Sequence, residues 1–241
     1  VAIFDLGVSS IQLKNLSRGF SFRSNEALDM KMGLSSFSAQ EVINNFSEVQ
    51  LKLIIKILGE EKEAFKIAKN IVKARAEKKI TRVSELVKII EQSKKKIYSS
   101  KINPCTKTFQ ALRIFVNKEI TELINGIIYA TELLRPGGKI LIVSFHSIED
   151  KIVKYFFTNY AKNKSKPSRY LPEENSNGPH LFENYNKKII KPSIHEVRKN
   201  NASRSAKLRF AVRSKDKFFL PINIFEKFKK YLNLESTNVK I

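Results

Sequence analysis

Leu134-Arg-Pro-Gly-Gly-Lys-Ile-Leu-Ile-Val-Ser-Phe-His-Ser147 sets the fold class of this chain. A helix runs up to Leu134 and stops at Pro136-Gly137-Gly138, because proline cannot continue a helix and glycine tolerates the turn that follows. Ile140 to Val143 are consecutive bulky apolar residues, the mark of a parallel strand covered on both faces. That strand closes in polar residues, Ser144 to Ser147. A similar unit opens the chain, where Val1-Ala-Ile-Phe4 reads as the end of a buried strand and Asp5-Leu-Gly-Val-Ser-Ser10 as the loop after it. Together the two stretches predict an α/β sheet of nucleotide-binding type, met here from its middle onward.

Outward from these strands the pattern turns helical. Ser38-Ala-Gln-Glu41 has capping-box spacing, in which the Ser oxygen and the Glu carboxylate satisfy free amides at a helix start. Val49, Leu51, Leu53, Ile54, Ile57 and Leu58 crowd a mostly buried helix that Gly59 ends. Phe65, Ile67, Ala68, Ile71 and Val72 form a stripe at three-to-four spacing, and another short helix covers Val83 to Gln92. This block sits between the two sheet segments, which predicts a helical insertion over residues 36–104 in a core made of 1–35 and 105–241. Tyr98 to Thr108 reads as the return linker.

Val116, Ile120, Leu123, Ile124, Ile127 and Ile128 share one helical face, so residues 109–134 are expected as one long helix. A helix bearing Ile148, Ile152, Val153 and Phe156 on one side follows the second strand. Residues 161–186, rich in Lys, Asn, Ser and Pro, read as a long loop. Ser193-Ile-His-Glu196 is a further capping-box string. In Lys207-Leu-Arg-Phe-Ala-Val-Arg213, alternation of Leu208, Phe210 and Val212 with polar or small residues predicts a half-buried antiparallel strand. A basic amphipathic helix near Ile224 to Leu234 closes the pattern.

At 241 residues with 42% hydrophobic side chains and 17 Phe, the chain has the material for a folded core. Its single cysteine, Cys105, excludes an internal disulfide and suits a reducing, cytoplasmic compartment. No apolar run approaches the roughly 18 residues of a membrane helix, and the start lacks a basic-then-apolar signal, so a soluble protein without membrane contact is expected. The balance of 45 basic and 23 acidic residues gives +22, and residues 151–241 carry 21 basic against 7 acidic. Such a field attracts polyanions, nucleic acid above all, although A/T-rich codons also raise a lysine count.

In an open parallel sheet, ligands bind beyond the carboxyl ends of the strands. Asp5 and Ser144-Phe-His-Ser147 follow the two predicted strands and are expected to line one crevice. Asp5 is a hydrogen-bond acceptor there or a cap on the loop amides. His146 stacks on a base, donates to RNA or bonds the neighbouring loop. The planar forks of Arg113, Arg204 and Arg209 suit phosphate and equally suit an internal ion pair. Phe20 and Phe22 are stacking platforms or core. His180 and His195 have no ligand spacing, so no metal is expected.

Six strings occur in order: Asp5-Leu-Gly-Val-Ser-Ser-Ile-Gln12; Arg18-Gly-Phe-Ser-Phe22 with Leu28-Asp-Met-Lys-Met32; Thr108-Phe-Gln-Ala-Leu-Arg-Ile114; Leu134-Arg-Pro-Gly-Gly138; Ser144-Phe-His-Ser-Ile-Glu-Asp150; and Ser203-Arg-Ser-Ala-Lys-Leu-Arg209. Together, over most of residues 1–213, they resemble the ribosomal RNA small subunit methyltransferase H family. The resemblance implies a Rossmann-like class I methyltransferase core with an inserted helical substrate-recognition subdomain. It implies S-adenosylmethionine as cofactor, small-subunit rRNA or the small ribosomal subunit as partner, and methyl transfer to N4 of a cytidine. It carries two cofactor contacts onto this sequence, Asp5 and Gln12, and leaves the catalytic residue open, with Asp5 the candidate.

The family's glycine-rich loop, its ribose-binding acidic residue and an aromatic contact lie upstream of the position matching Val1. The eight glycines here stand at 7, 19, 33, 59, 126, 137, 138 and 178, none of them two apart, so these residues contain no Gly-x-Gly loop. An N-terminally shortened enzyme that binds cofactor weakly is therefore expected, with a catalytically impaired basic RNA-binding protein as the alternative. A DNA amine methyltransferase is disfavoured, since no Pro-Pro-aromatic string follows Asp5. Gly33, Asn103, Lys107 and Asn201 depart from the family's usual residues at their positions.

Overall fold

A computed structural model describes residues 1–9, 11–12, 16–33, 35, 37–94, 103–162, 178–237. Residues 98–102 of the predicted return linker and most of the 161–186 loop lie outside them, as does Ser10. The chain forms two compact units, Val1–Gly7 with Glu122–Lys229 and Val8–Thr121 with Lys230–Ile241.

The first unit holds a four-stranded sheet. Its strands are β1 (Ala2–Asp5), β2 (Lys139–Ser144), β3 (Phe182–Tyr185) and β4 (Lys207–Arg213), in the order β1-β2-β4-β3. β1 and β2 run parallel, with Ala2 opposite Ile140 and Asp5 opposite Val143. β4 runs antiparallel to both β2 and β3. A parallel pair needs a long crossover, and here that crossover carries the helices, which is the Rossmann-like arrangement. β3 falls inside the segment expected as loop; Phe182-Glu-Asn-Tyr185 offers one large apolar residue at its start and no alternating pattern.

The expectation that β2 is covered on both faces is corrected. Ile140, Ile142 and Ser144 are buried while Leu141 and Val143 are half-buried. The buried face lies under α6 (Glu119–Leu133) and α7 (Ser147–Tyr160). Gly126 of α6 lies against the Phe4 ring, where an added Cβ would come within 3.1 Å of it. Thr131 of α6 accepts a hydrogen bond from Arg213 at 3.2 Å, and Asp150 of α7 pairs with Arg209 at 2.7 Å. Between the elements, Phe156 and Phe157 meet Phe182 edge-on at 5.4 and 5.2 Å between ring centroids, a geometry that adds to the apolar area they bury.

The second unit is helical: α1 (Ala39–Asn45), α2 (Glu48–Leu58), α3 (Ala64–Glu77), α4 (Val83–Ser93) and α5 (Thr106–Asn117). The Ser38/Glu41 capping box forms as expected, and a second one, Ser47 with Gln50, separates α1 from α2. In α2 the buried set is Leu51, Ile54, Ile55 and Leu58, whereas Val49 and Leu53 face outward. Gly59 lets α2 reach α5, since a Cβ there would meet Lys107 O at 2.4 Å. Phe46, fully buried, meets Phe115 edge-on and ties α1 to α5.

The single helix expected over 109–134 is two, α5 and α6. Lys118 takes a left-handed conformation (φ 50°) and caps α5, with its N–H bonded to Phe115 O. The apolar face continues in register across the break, which is why its period alone suggests continuity. Short α8 (Ile194–Lys199) starts at Ser193, whose hydroxyl accepts from Glu196 N. In α9 (Asn223–Glu235), Ile224 and Phe228 are buried, and Phe228 meets Tyr155 of α7 at 5.5 Å. No helix among the described residues is long and apolar enough to cross a membrane.

Candidate functional site

In the first unit, the carboxyl ends of β1 and β2 stand side by side. Leu6 N donates to Val143 O at 3.1 Å, so the pairing runs to the last residue of β1 and sets Asp5 beside the start of the Ser144–Ser147 turn. Asp5 is exposed there, so its carboxylate is available as an acceptor.

Glu149 builds the turn. It is 3% exposed and accepts from the N–H groups of Phe145 at 2.8 Å and His146 at 3.2 Å. His146 occupies the N-cap of α7, its Nδ1 3.5 Å from Glu149 N and its Nε2 3.1 Å from Glu149 Oε1. The second distance falls within ion-pair range but off the hydrogen-bond direction. Burial pushes the Glu149 carboxyl up, but the His146 side chain and the two backbone N–H groups more than offset this and hold it below the usual range. His146 thus accepts a bond within its own loop.

The next residue, Asp150, receives Arg209 Nε at 2.7 Å and Lys207 Nζ at 3.3 Å. Burial raises its carboxyl, while Arg209 and then Lys207 lower it to a net position below the ordinary one. Arg209 is buried with its charge committed to this pair. Arg204, in the 3-10 turn Asn201–Ser205, is exposed. Arg213 is also buried, its fork shared among Thr131 O, Leu181 O, Ser214 and Asp216 O.

In the second unit, Gln12 and Ser9 close a reciprocal pair: Ser9 N donates to Gln12 Oε1 at 2.8 Å and Gln12 N to Ser9 Oγ at 3.2 Å. Arg113 reaches Glu119 through both Nε (2.7 Å) and Nη2 (3.0 Å), the bidentate ion-pair alternative for that side chain. The Arg18–Phe22 and Leu28–Met32 strings are tied together. Arg18 donates to Lys31 O at 2.8 Å and stacks over Phe20, and Met30, buried at φ 60°, donates to Arg18 O. Asn117 completes the tie by donating to Met30 O at 2.8 Å and accepting from Met32 N at 2.7 Å. Phe20 is buried, and Phe22 meets Phe109 edge-on, so both serve packing. Cys105 is buried, and burial raises its thiol to about 11, which suits an inert apolar filler.

The sequence assigned no role to Glu149, Asp150 or Asn117. The signal for Glu149 was present: a carboxylate three residues after a polar residue at a strand-to-helix turn. His in the cap position conceals it.

A strand-end acceptor thus stands beside a pinned turn on a Rossmann-like sheet, and the second unit is helical. The chain matches the sequence profile of the MraW methylase family over residues 1–214 and belongs to that family. It is 47% identical to the ribosomal RNA small subunit methyltransferase H of Ehrlichia canis over 208 residues, 86% of this chain and 67% of that protein. It is 43% identical to the protein of the same name from Parvibaculum lavamentivorans over 212 residues, 88% of this chain and 62% of the relative. The corresponding values for the Xanthobacter autotrophicus protein are 44%, 88% and 61%. The chain thus spans about three fifths to two thirds of the length of these curated relatives.

Proposed function

We propose that the chain serves S-adenosylmethionine-dependent methylation of N4 of a cytidine in small-subunit rRNA, with the substrate-facing strand ends supplied by the first unit and substrate recognition by the helical insertion at 36–104. The observation that carries this reading is the adjacency of exposed Asp5 and the Glu149-pinned Ser144–Ser147 turn in a chain of this family.

S-adenosylmethionine would supply a methyl group on a sulfonium. The residues present fit part of such a cofactor's needs: Asp5 offers an acceptor, and on the family string Gln12 is the second contact. The N4 lone pair of cytosine is delocalised into its ring, so the amine needs an acceptor that orients it and takes up developing positive charge. Exposed at the strand end, Asp5 would do this. A base must leave its stack to reach such a site, which suits an unpaired rRNA segment. Arg204, exposed on its turn, is the side chain among the candidate arginines best placed to meet phosphate.

A second reading, a basic protein that holds small-subunit rRNA without transferring methyl, is favoured by one feature, the net charge of +22. Expression of the gene in a bacterium deprived of its own enzyme of this family separates the two. Restored N4-methylcytidine, lost again with Asp5→Ala, supports transfer; rRNA that copurifies with the chain but stays unmethylated supports the second reading.

A further inference from the structure

Between β3 and β4, residues 187–205 have a defined structure and almost no interior. Ser203 is the one buried side chain among them, and α8 buries none. Their backbone is nonetheless held at several points. Asn186 clamps the start, accepting from Phe210 N at 2.6 Å and donating to Lys188 O at 2.9 Å. Ile190 and Leu208 exchange backbone hydrogen bonds at 3.1 and 2.9 Å. The Ser193 hydroxyl caps α8, and Asn200 caps the 3-10 turn by accepting from Ala202 N at 3.2 Å. Ordering such a segment costs conformational entropy that its own side chains do not recover by burying apolar area. What it displays is charge of one sign. Lys187, Lys188, Lys191, Arg198, Lys199 and Arg204 are exposed, and none of them forms an ion pair among the described residues. Glu196 is the single acidic residue against these six, whereas the rest of the chain has 39 basic and 22 acidic residues, so the bias is local. A/T-rich codons would raise lysine throughout and would not clear acidic residues from one segment; a loop that is merely solvated mixes both signs.

The segment also has a place in the sheet that gives this charge a use. Lys207, which opens β4, stands opposite Ser144, and Asp5 stands opposite Val143. Residues 187–205 therefore lead into β4 at the carboxyl end of β2, the end that carries Asp5 and the Glu149-held turn. We infer that they form an arm that grips the phosphates of single-stranded rRNA at these strand ends, with Arg204 one of six cations acting together. The inference rests on the reading of the chain as an rRNA-modifying protein and goes beyond it in naming where the strand is held. Residues 187–205 contain no Phe, Tyr or Trp on which a base could stack, so the arm meets the RNA backbone and positions it without reading sequence. Selection of the base is left to the strand-end site.

The test titrates the full chain into a short fluorescent single-stranded RNA over a salt series and compares triple variants of equal charge change. Lys187→Gln/Lys191→Gln/Arg198→Gln in the arm should weaken binding by about tenfold or more and lower the slope of log affinity against log salt by about 2, the share of three phosphate contacts. Lys188→Gln/Lys199→Gln/Arg204→Gln, the other three cations, should reproduce that loss. Arg135→Gln/Lys139→Gln/Lys215→Gln removes the same charge at the opposite end of the sheet, where Lys139 faces Val212, and should change affinity by less than about threefold. All nine side chains are exposed, so each variant should keep the denaturant midpoint of the parent. Equal losses from the two ends of the sheet, arm variants that bind like the parent, or a parent that binds no RNA overturn the inference. So does a loss from Ile194→Ser, at a position 76% exposed, that matches the arm variants without a change in salt slope, since it would mark an apolar contact in place of a phosphate grip. Arm variants that behave as expected, in a host whose rRNA carries no N4-methylcytidine dependent on this gene, keep the arm and contradict the proposed activity instead.

Discussion

Arg204 and Arg209 stand five residues apart in one family string and meet opposite fates, and their variants should separate accordingly. Arg209→Ala leaves Asp150 beside Lys207 alone in a largely buried setting and is expected to cost about 2–4 kcal/mol of stability by denaturant unfolding. Arg204→Ala should stay within about 0.5 kcal/mol of the parent yet weaken binding to small-subunit rRNA, read by filter binding at fixed salt. Glu149→Ala removes the acceptor for two backbone N–H groups and the partner of His146. A loss of about 2 kcal/mol is expected, with Glu149→Gln, which keeps one acceptor, losing less. Equal stability of the Ala variant and the parent would remove Glu149 as the residue that shapes the strand-end turn.

Among the elements, a carboxylate of α9 is bonded to the start of α6. Glu235, 2% exposed, accepts from Ile120 N at 3.0 Å, Thr121 N at 2.8 Å and Thr121 Oγ1 at 2.6 Å, satisfying the start of α6. Burial raises its carboxyl to about 7 against the lowering effect of those donors, and nearby Glu119, itself paired to Arg113, adds a small upward push. A carboxyl whose folded pKa exceeds its unfolded value favours folding while protonated, so this contribution is complete below about pH 4.5 and is lost as pH rises toward 7. Unfolding free energy is expected to fall by up to about 3 kcal/mol across that window from this group, and Glu235→Gln should flatten the slope there. A parent and variant with parallel pH profiles would contradict it.

The helices themselves were largely legible in the sequence, because capping boxes such as Ser38 with Glu41 and stripes such as Ile67, Ala68 and Ile71 are local signals. What escaped was set by distant partners. Lys118 breaks α5 from α6 where Asn117 is drawn to Met30 and Met32, contacts that no periodicity encodes. β3 forms because β4 offers it an edge, not because Phe182–Tyr185 has a strand pattern. The adjacency of Asp5 and the Ser144–Ser147 turn was legible from the strand ends, while the part Glu149 plays in holding that turn was hidden by a histidine cap. Arg209 stayed open between phosphate and an internal ion pair because its partner Asp150 lies 59 residues away in sequence.

For the whole molecule, +22 is the property that acts at longest range. Binding to rRNA should therefore be strongly salt-dependent; about five phosphate contacts to single-stranded RNA correspond to roughly a tenfold loss of affinity from 0.1 to 0.2 M salt. A flat salt response in a titration series would show that the charge reflects composition alone. The central claim is narrower than RNA binding, since it names the atom modified. N4-methylcytidine in small-subunit rRNA, quantified by mass spectrometry in the native host with and without this gene, tests it most directly. The modification is expected in the parent and lost on deletion; an unchanged level of N4-methylcytidine after deletion would contradict N4 methylation by this protein.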